Sequence, residues 1–296
     1  MSRTTAPRPI RKTRSPIRRA RSVLLAAAAL VTAASLGAAS LAVPASADPG
    51  PPPASMASMG DSITRGFNAC GWYVDCPSRS FSTGTDSSVN SHYLRIRTTN
   101  PAINGNNHNV SESGAESADM PGQADAAVAR TVGYVTMLIG ANDACASSES
   151  GMTPVATFRA NIDTALGRLK AGLPNARVFV ISIPDIQRLW SVGRGDLAAR
   201  TAWSLFGICQ SMLASPTSNA QADVDRRTRV RQRVIDYNTQ LAQACSAYGA
   251  NCAFDGNAIF NYPFSLNQLS GWDYFHPNTA GQQVLANVSY NAGFGW

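Results

Sequence analysis

The chain has 296 residues, with 25 Lys and Arg against 18 Asp and Glu, a formal charge of +7 and six cysteines. Eight of the basic residues and no acid fall within the first 47 positions, so the rest of the chain carries 17 bases against 18 acids, a charge of −1. A nearly neutral body lacks the broad positive field on which nucleic-acid binding depends, which excludes nucleic acid as a partner.

The basic head, the apolar run over residues 23–36 and the small-residue triplet Ala45-Ser46-Ala47 compose a signal peptide over residues 1–47. Thr32 and Ser35 interrupt the apolar run, which argues against a permanent membrane span. The mature chain is expected to begin at Asp48, and its location to be extracellular. Arg18-Arg19 leaves twin-arginine export open beside the general route, although Ala20-Arg21-Ser22 after the pair does not strengthen it. The remaining 249 residues suit a Pro/Gly linker over residues 48–53 and one domain over residues 54–296.

Residues 54–59 read as a short buried strand that delivers Gly60-Asp61-Ser62 at its carboxyl end. Residues 66–109 are rich in Gly, Ser, Asn and Thr and read as a long, partly helical insert in which His92 and His108 are exposed. Residues 119–130 have the alanine content of a helix, and the six-residue apolar run 134–139 ends at Gly140 as a buried parallel strand does. Phe158, Ile162, Ala165, Leu166 and Leu169 recur at helical spacing until Gly172 and Pro174, and residues 177–183 form the next apolar strand. A second long helix covers residues 223–247, with Val230, Val234, Tyr237 and Leu241 on one face. Its cluster of Arg226, Arg227, Arg229, Arg231 and Arg233 reads as a solvated face, with an anion-binding patch as the minority reading. Residues 251–254 are an edge or final strand. Strand, helix, strand in repetition is the pattern of an α/β domain with a parallel sheet.

Cys70, Cys76, Cys145, Cys209, Cys245 and Cys252 all lie in the exported part, where disulfides form. Sequence alone leaves many connectivities open; the short separations favour Cys70 with Cys76 and Cys245 with Cys252, leaving Cys145 with Cys209. There is no Cys-x-x-Cys pair and no His-Glu-x-x-His helix, so neither a metal nor any other cofactor is expected.

A serine hydroxyl needs an imidazole to take its proton and a third group to hold that imidazole in the right tautomer. Of His92, His108 and His276, only His276 has an acid, Asp273, three residues upstream. Singly, each residue has an ordinary reading: Ser62 or Asp143 as a helix cap, His276-Pro277 as the opening of the last helix. An acyl-transfer site also needs donors for an oxyanion, and Ser113-Gly114-Ala115 and Gly140-Ala141-Asn142-Asp143 offer a backbone N–H and an amide side chain.

With Gly60-Asp61-Ser62-Ile63, Gly114, Gly140-Ala141-Asn142-Asp143 and Asp273-Tyr274-Phe275-His276 in that order, the sequence resembles the SGNH, or GDSL, hydrolase superfamily. Ile63 stands where the usual block has leucine. The resemblance implies a flavodoxin-like three-layer α/β/α sandwich around a parallel sheet of about five strands. It also implies Ser62 as nucleophile, His276 as base, Asp273 as its orienting acid, and an oxyanion hole from the Ser62 and Gly114 amides and the Asn142 side chain. Phe81-Ser82-Thr83-Gly84-Thr85, Met120-Pro121-Gly122-Gln123-Ala124 and Asn142-Asp143-Ala144-Cys145 are similar to the phospholipase B-like branch. That implies a secreted lipase or esterase, acting as a monomer on a lipid or small ester and touching lipid surfaces transiently. Trp72, Tyr73, Phe264, Trp272, Tyr274 and Phe275 are candidates to line an apolar groove, each with core packing as its plainer reading. A carbohydrate acetylesterase of the same superfamily and a secreted binding protein without turnover are the alternatives.

Overall fold

The computed structural model describes residues 49–296, so the expected signal peptide over residues 1–47 and the first residue of the expected linker lie outside the described residues. The strands Met56–Gly60 (β1), Asn107–Asn109 (β2), Tyr134–Leu138 (β3), Arg177–Ile181 (β4) and Cys252–Phe254 (β5) form one sheet in the order β2-β1-β3-β4-β5, every neighbouring pair parallel. Every residue of β1 and β3 is buried, as central strands covered on both faces require.

Helices Met120–Val128, Val155–Gly172 and Gln221–Tyr248 pack together against one face of the sheet. Phe158, Ile162, Ala165, Leu166 and Leu169 form the buried stripe of the second, and Phe158 stacks on Tyr237 of the third at 4.2 Å between ring centroids. Each fully buried side chain of this size contributes roughly 1.5–3 kcal/mol. Across the sheet, His92 of helix His92–Thr99 packs on Tyr134 and Phe179 and on Tyr290 of helix Thr279–Asn291, while Thr136, on the same side, bonds Ser82. The molecule is thus an α/β three-layer sandwich with a five-stranded parallel sheet.

The chain leaves β1 for β2 on one side and then crosses to β3 on the other, so the strand order reverses between β1 and β3. Gly60 and Leu138 are register partners there, and the loops after them open side by side at the carboxyl ends of the strands. That crevice is where open α/β sheets bind their ligands.

Two sequence expectations are corrected. The segment 66–109 is no mere insert: it supplies the edge strand β2, whose residues Asn107, His108 and Asn109 carry no apolar alternation to reveal it. His92 in the same segment is wholly buried and His108 is half-buried. The arginine cluster on Gln221–Tyr248 is also tied down. Arg226 pairs with Asp223, Arg229 with Glu149 and Arg231 with Asp185, while Arg233 donates to the Thr153 carbonyl. Arg227 is buried with its guanidinium 4.4 Å over the Trp190 ring.

Candidate active site

At the end of β1 the chain turns through Gly60 at φ +150°, where an added Cβ would meet the Leu138 carbonyl oxygen at 2.3 Å and Thr64 Oγ1 at 2.4 Å. Only glycine fits so tight a turn. The buried Gln123 side chain grips the same residue on both sides, its Oε1 accepting from Gly60 N–H at 2.7 Å and its Nε2 donating to Gly60 C=O at 2.9 Å. Asp61, not Ser62, caps the short helix Ser62–Arg65, its Oδ1 accepting from Ile63 N–H at 2.8 Å. Ser62 is left at the first helical position, where its own N–H has no intrahelical acceptor and its hydroxyl faces the crevice.

His276 arrives from the far end of the chain. Its Nε2 lies 2.8 Å from Ser62 Oγ, and its Nδ1 lies 2.6 Å from Asp273 Oδ2. With the Nδ1 proton donated to the carboxylate, Nε2 carries the lone pair that faces the hydroxyl. Asp273 is buried, its Oδ1 held by the N–H groups of Phe275 at 3.0 Å and His276 at 3.1 Å. Phe67 and Phe275 meet the imidazole at 4.9 and 5.0 Å between ring centroids, fixing its plane. The plainer alternative, His276-Pro277 as the opening of the last helix, does not account for His276, since Asn278 caps that helix, accepting from Gly281 N–H.

Gly114, at φ +87°, and Asn142, in the short helix after β3, face the same crevice as Ser62 and His276. Asn142 Nδ2 donates one hydrogen to the Ala115 carbonyl at 2.8 Å, leaving its second for the crevice. Asp143 caps nothing; it accepts from Ser117 N–H at 2.8 Å and Ser117 Oγ at 2.6 Å and so staples the Gly114 loop to the Asn142 turn. Burial raises the Asp143 carboxyl above its usual range, against those Ser117 hydrogen bonds. Asp61 is pushed up to about 7 by burial, against the Ile63 N–H and the charge of His276, with Asp143 adding to the rise.

These groups line an open cleft of about 370 Å³, walled also by Tyr73 and by Cys145 and Cys209. Behind Phe275 lies a second, tighter pocket of about 50 Å³, lined by Ile63, Ala141, Ile186, Leu189 and Phe264. Of the six aromatics considered from sequence, Tyr73 and Phe275 line the cleft and Phe264 and Phe275 the apolar pocket. Trp72 and Trp272 stand 68% and 47% exposed, and Tyr274 is half-buried, its carbonyl accepting from Trp203 Nε1. Sulfur pairs join Cys70 to Cys76, Cys145 to Cys209 and Cys245 to Cys252. Among the described residues, no three His, Cys, Asp or Glu side chains group as metal ligands, and no helix is long and apolar enough to cross a membrane. Sequence reasoning missed two residues around the site. Gln123 was one letter in a motif with no role attached, and Asn68, which donates to Asp273 Oδ2, gave no linear signal because 205 positions separate the two.

Solved structures match the chain at low identity. A protein of Parabacteroides merdae described as a GDSL-like lipase is 17% identical over 81% of this chain and 95% of its own, with a TM-score of 0.45. The extracellular lipase of Streptomyces rimosus is 18% identical over 81% and 99%, with a TM-score of 0.40. The phospholipase A1 of Streptomyces albidoflavus is 18% identical over 81% and 99%, with a TM-score of 0.43. No curated protein matches the sequence. The family profile of GDSL-like lipases and acylhydrolases matches residues 56–288, nearly the whole described domain, and the chain belongs to that family.

Proposed function

We propose that the protein is a secreted serine ester hydrolase that cleaves acyl esters of lipids, whether phospholipid, lysophospholipid or glyceride, through an acyl-enzyme. The observation that carries the reading is the continuous relay from Ser62 Oγ to His276 Nε2 at 2.8 Å and from His276 Nδ1 to Asp273 Oδ2 at 2.6 Å. In this reading Ser62 Oγ attacks the ester carbonyl carbon as its proton passes to Nε2. The resulting oxyanion takes hydrogen bonds from the Ser62 and Gly114 N–H groups and from the free amide hydrogen of Asn142. Collapse of that intermediate breaks the ester bond, and the imidazolium gives its proton to the departing alcohol. Water, deprotonated by the same imidazole, then releases the acid and restores Ser62. Asp273 keeps Nδ1 protonated throughout and stabilises the imidazolium.

Three observations support a lipid substrate. The apolar pocket lined by Ile63, Ala141 and Pro277 shares Phe275 with the cleft, and at about 50 Å³ it would take the first few carbons of an acyl chain. Trp72, Tyr73 and Val74 stand more than half exposed in the loop that walls the cleft. Leu205 and Phe206 extend that apolar rim, with Phe206 6.1 Å from Tyr73 between ring centroids. A rim of this kind favours transient contact with a lipid surface. The small size of the pocket supports a second reading, an esterase that removes acetyl groups from polysaccharide. Purified protein is offered lysophospholipid, triglyceride, nitrophenyl esters of increasing chain length and acetylated xylan. Turnover of the lipids is expected; turnover of acetylated xylan alone would overturn the lipid reading and leave the ester-hydrolase reading standing.

A further inference from the structure

Asn68 sits under the Cys70–Cys76 loop with only 1% of its surface exposed, and three features of it run against stability. Its backbone lies at φ +64°, its Oδ1 is buried with no hydrogen-bond partner among the described residues, and the whole amide is desolvated. Asn tolerates the left-handed region better than most residues, yet an orphaned buried acceptor remains unfavourable. Strain and an unsatisfied group that persist together point to a local role.

That role is visible in one bond. Asn68 Nδ2 donates at 2.6 Å to Asp273 Oδ2, the same oxygen that accepts the Nδ1 proton of His276. The carboxylate fixes the amide's orientation, since the opposite flip would set oxygen against oxygen. Asp273 therefore holds four donors: the Phe275 and His276 N–H groups on Oδ1, and His276 Nδ1 and Asn68 Nδ2 on Oδ2. Three of these come from the turn that carries Asp273 itself. Among the described residues only Asn68 hydrogen-bonds the carboxylate from the first part of the chain, where Ser62 lies. The same loop base is anchored by Asn68 N–H on the Val74 carbonyl, and by Trp272 Nε1 donating to the Gly71 carbonyl at 2.8 Å.

We propose that Asn68 is a positioning residue for the reaction: its amide locks the Asp273 carboxylate in the orientation that aligns His276 with Ser62. The inference rests on the Ser-His-Asp reading proposed above, and it assigns Asn68 no contact with substrate.

Two substitutions separate positioning from packing. Asn68→Asp keeps size and shape and also tolerates the backbone angle, but sets a carboxylate oxygen where the donor was. Asn68→Gly relieves the backbone and simply removes the donor. With a soluble short-chain nitrophenyl ester, kcat is expected to fall about tenfold in Asn68→Gly, the size of one lost hydrogen bond to a charged group. Taken relative to wild type at the same pH, it should fall further in Asn68→Asp and recover toward the Asn68→Gly ratio as the pH is lowered and the new carboxyl protonates. KM should stay within about twofold of wild type in both, and the melting temperature of Asn68→Gly should not drop. Wild-type kcat in Asn68→Asp, or a loss in both variants that follows only the folded fraction, would overturn the assignment. Ser62→Ala run alongside distinguishes the failures: activity retained there sinks the nucleophile reading itself, whereas an inactive Ser62→Ala beside a fully active Asn68→Asp sinks only the role of Asn68.

Discussion

Two imidazoles in this molecule each meet a serine hydroxyl through Nε2, His276 with Ser62 at 2.8 Å and His92 with Ser289 at 2.7 Å. By that distance alone they are the same pair. What differs is the destination of each proton. Ser289 Oγ donates at 2.6 Å to the Leu285 carbonyl, so it accepts from His92 Nε2, and His92 Nδ1 in turn accepts from Tyr134 Oη at 3.1 Å. Nε2 is a donor at His92 and an acceptor at His276, because Asp273 claims the Nδ1 proton of the latter. Burial at His92, with Arg95 nearby, lowers its pKa to about 3 and keeps it neutral, and Ser289 is wholly buried. A histidine–serine contact becomes a candidate base and nucleophile only with a carboxylate behind it and open space in front.

The comparison breaks most visibly at the serines. Ser62→Ala or His276→Ala is expected to lower esterase kcat by about 10,000-fold or more, with folding intact, as removal of a nucleophile or base does. Ser289→Ala should keep kcat and KM within about twofold of wild type. Equal activity in wild type and Ser62→Ala would defeat the proposed chemistry, and a large loss in Ser289→Ala would show that the His92 site is not merely structural.

Asp273→Asn follows, with an expected fall in kcat of about 1,000-fold or more. Among the described residues His276 Nδ1 has no partner but Asp273, so no backbone carbonyl stands in to hold the tautomer. An effect under about tenfold would indicate that one does so in solution.

The third effect is on stability and falls on the other histidine. Ser289→Ala leaves His92 Nε2–H buried without an acceptor, which costs roughly 1–3 kcal/mol. Denaturant unfolding should show the midpoint falling with the slope unchanged. An unchanged midpoint would mean that water or a neighbouring group replaces Ser289.

The same pair shows what the sequence disclosed and what it hid. Asp273 and His276 were legible because three residues separate them, a distance one local turn closes. Ser62 was legible because strand and loop chemistry alternate sharply there, from a wholly buried β1 to Gly60-Asp61-Ser62. His92 was misread as exposed because its neighbours in sequence are polar; its burial comes from Phe81, Tyr134, Phe179 and Tyr290, which reach it from distant segments. The strand β2 was hidden for a related reason, since Asn107-His108-Asn109 owes its extended state to pairing with β1 and not to its own side chains. Arg227 shows the limit of periodicity: it occupies a position in a charged run, yet an indole face and the Ser218 carbonyl draw it inward.

The smallest expected effect concerns the two buried groups whose titrations oppose each other. His92 is lowered from 6.5 to about 3, so it contributes stability present above about 6.5 that is lost as the pH falls toward about 3. Asp61 is raised from 3.8 to about 7, so its contribution is full below about 3.8 and lost as the pH rises through about 7. Between roughly pH 4 and pH 6.5 the folded state holds the Asp61 proton and lacks the His92 proton, while the unfolded chain does the reverse. The two groups together then give no net slope there. Asp61→Asn keeps the helix cap, since asparagine caps as well as aspartate, but removes one of the two titrations. Its melting temperature relative to wild type should therefore climb as the pH rises from about 4 to about 7 and level off above. Parallel melting curves across that range would show that Asp61 does not carry its proton in the folded protein.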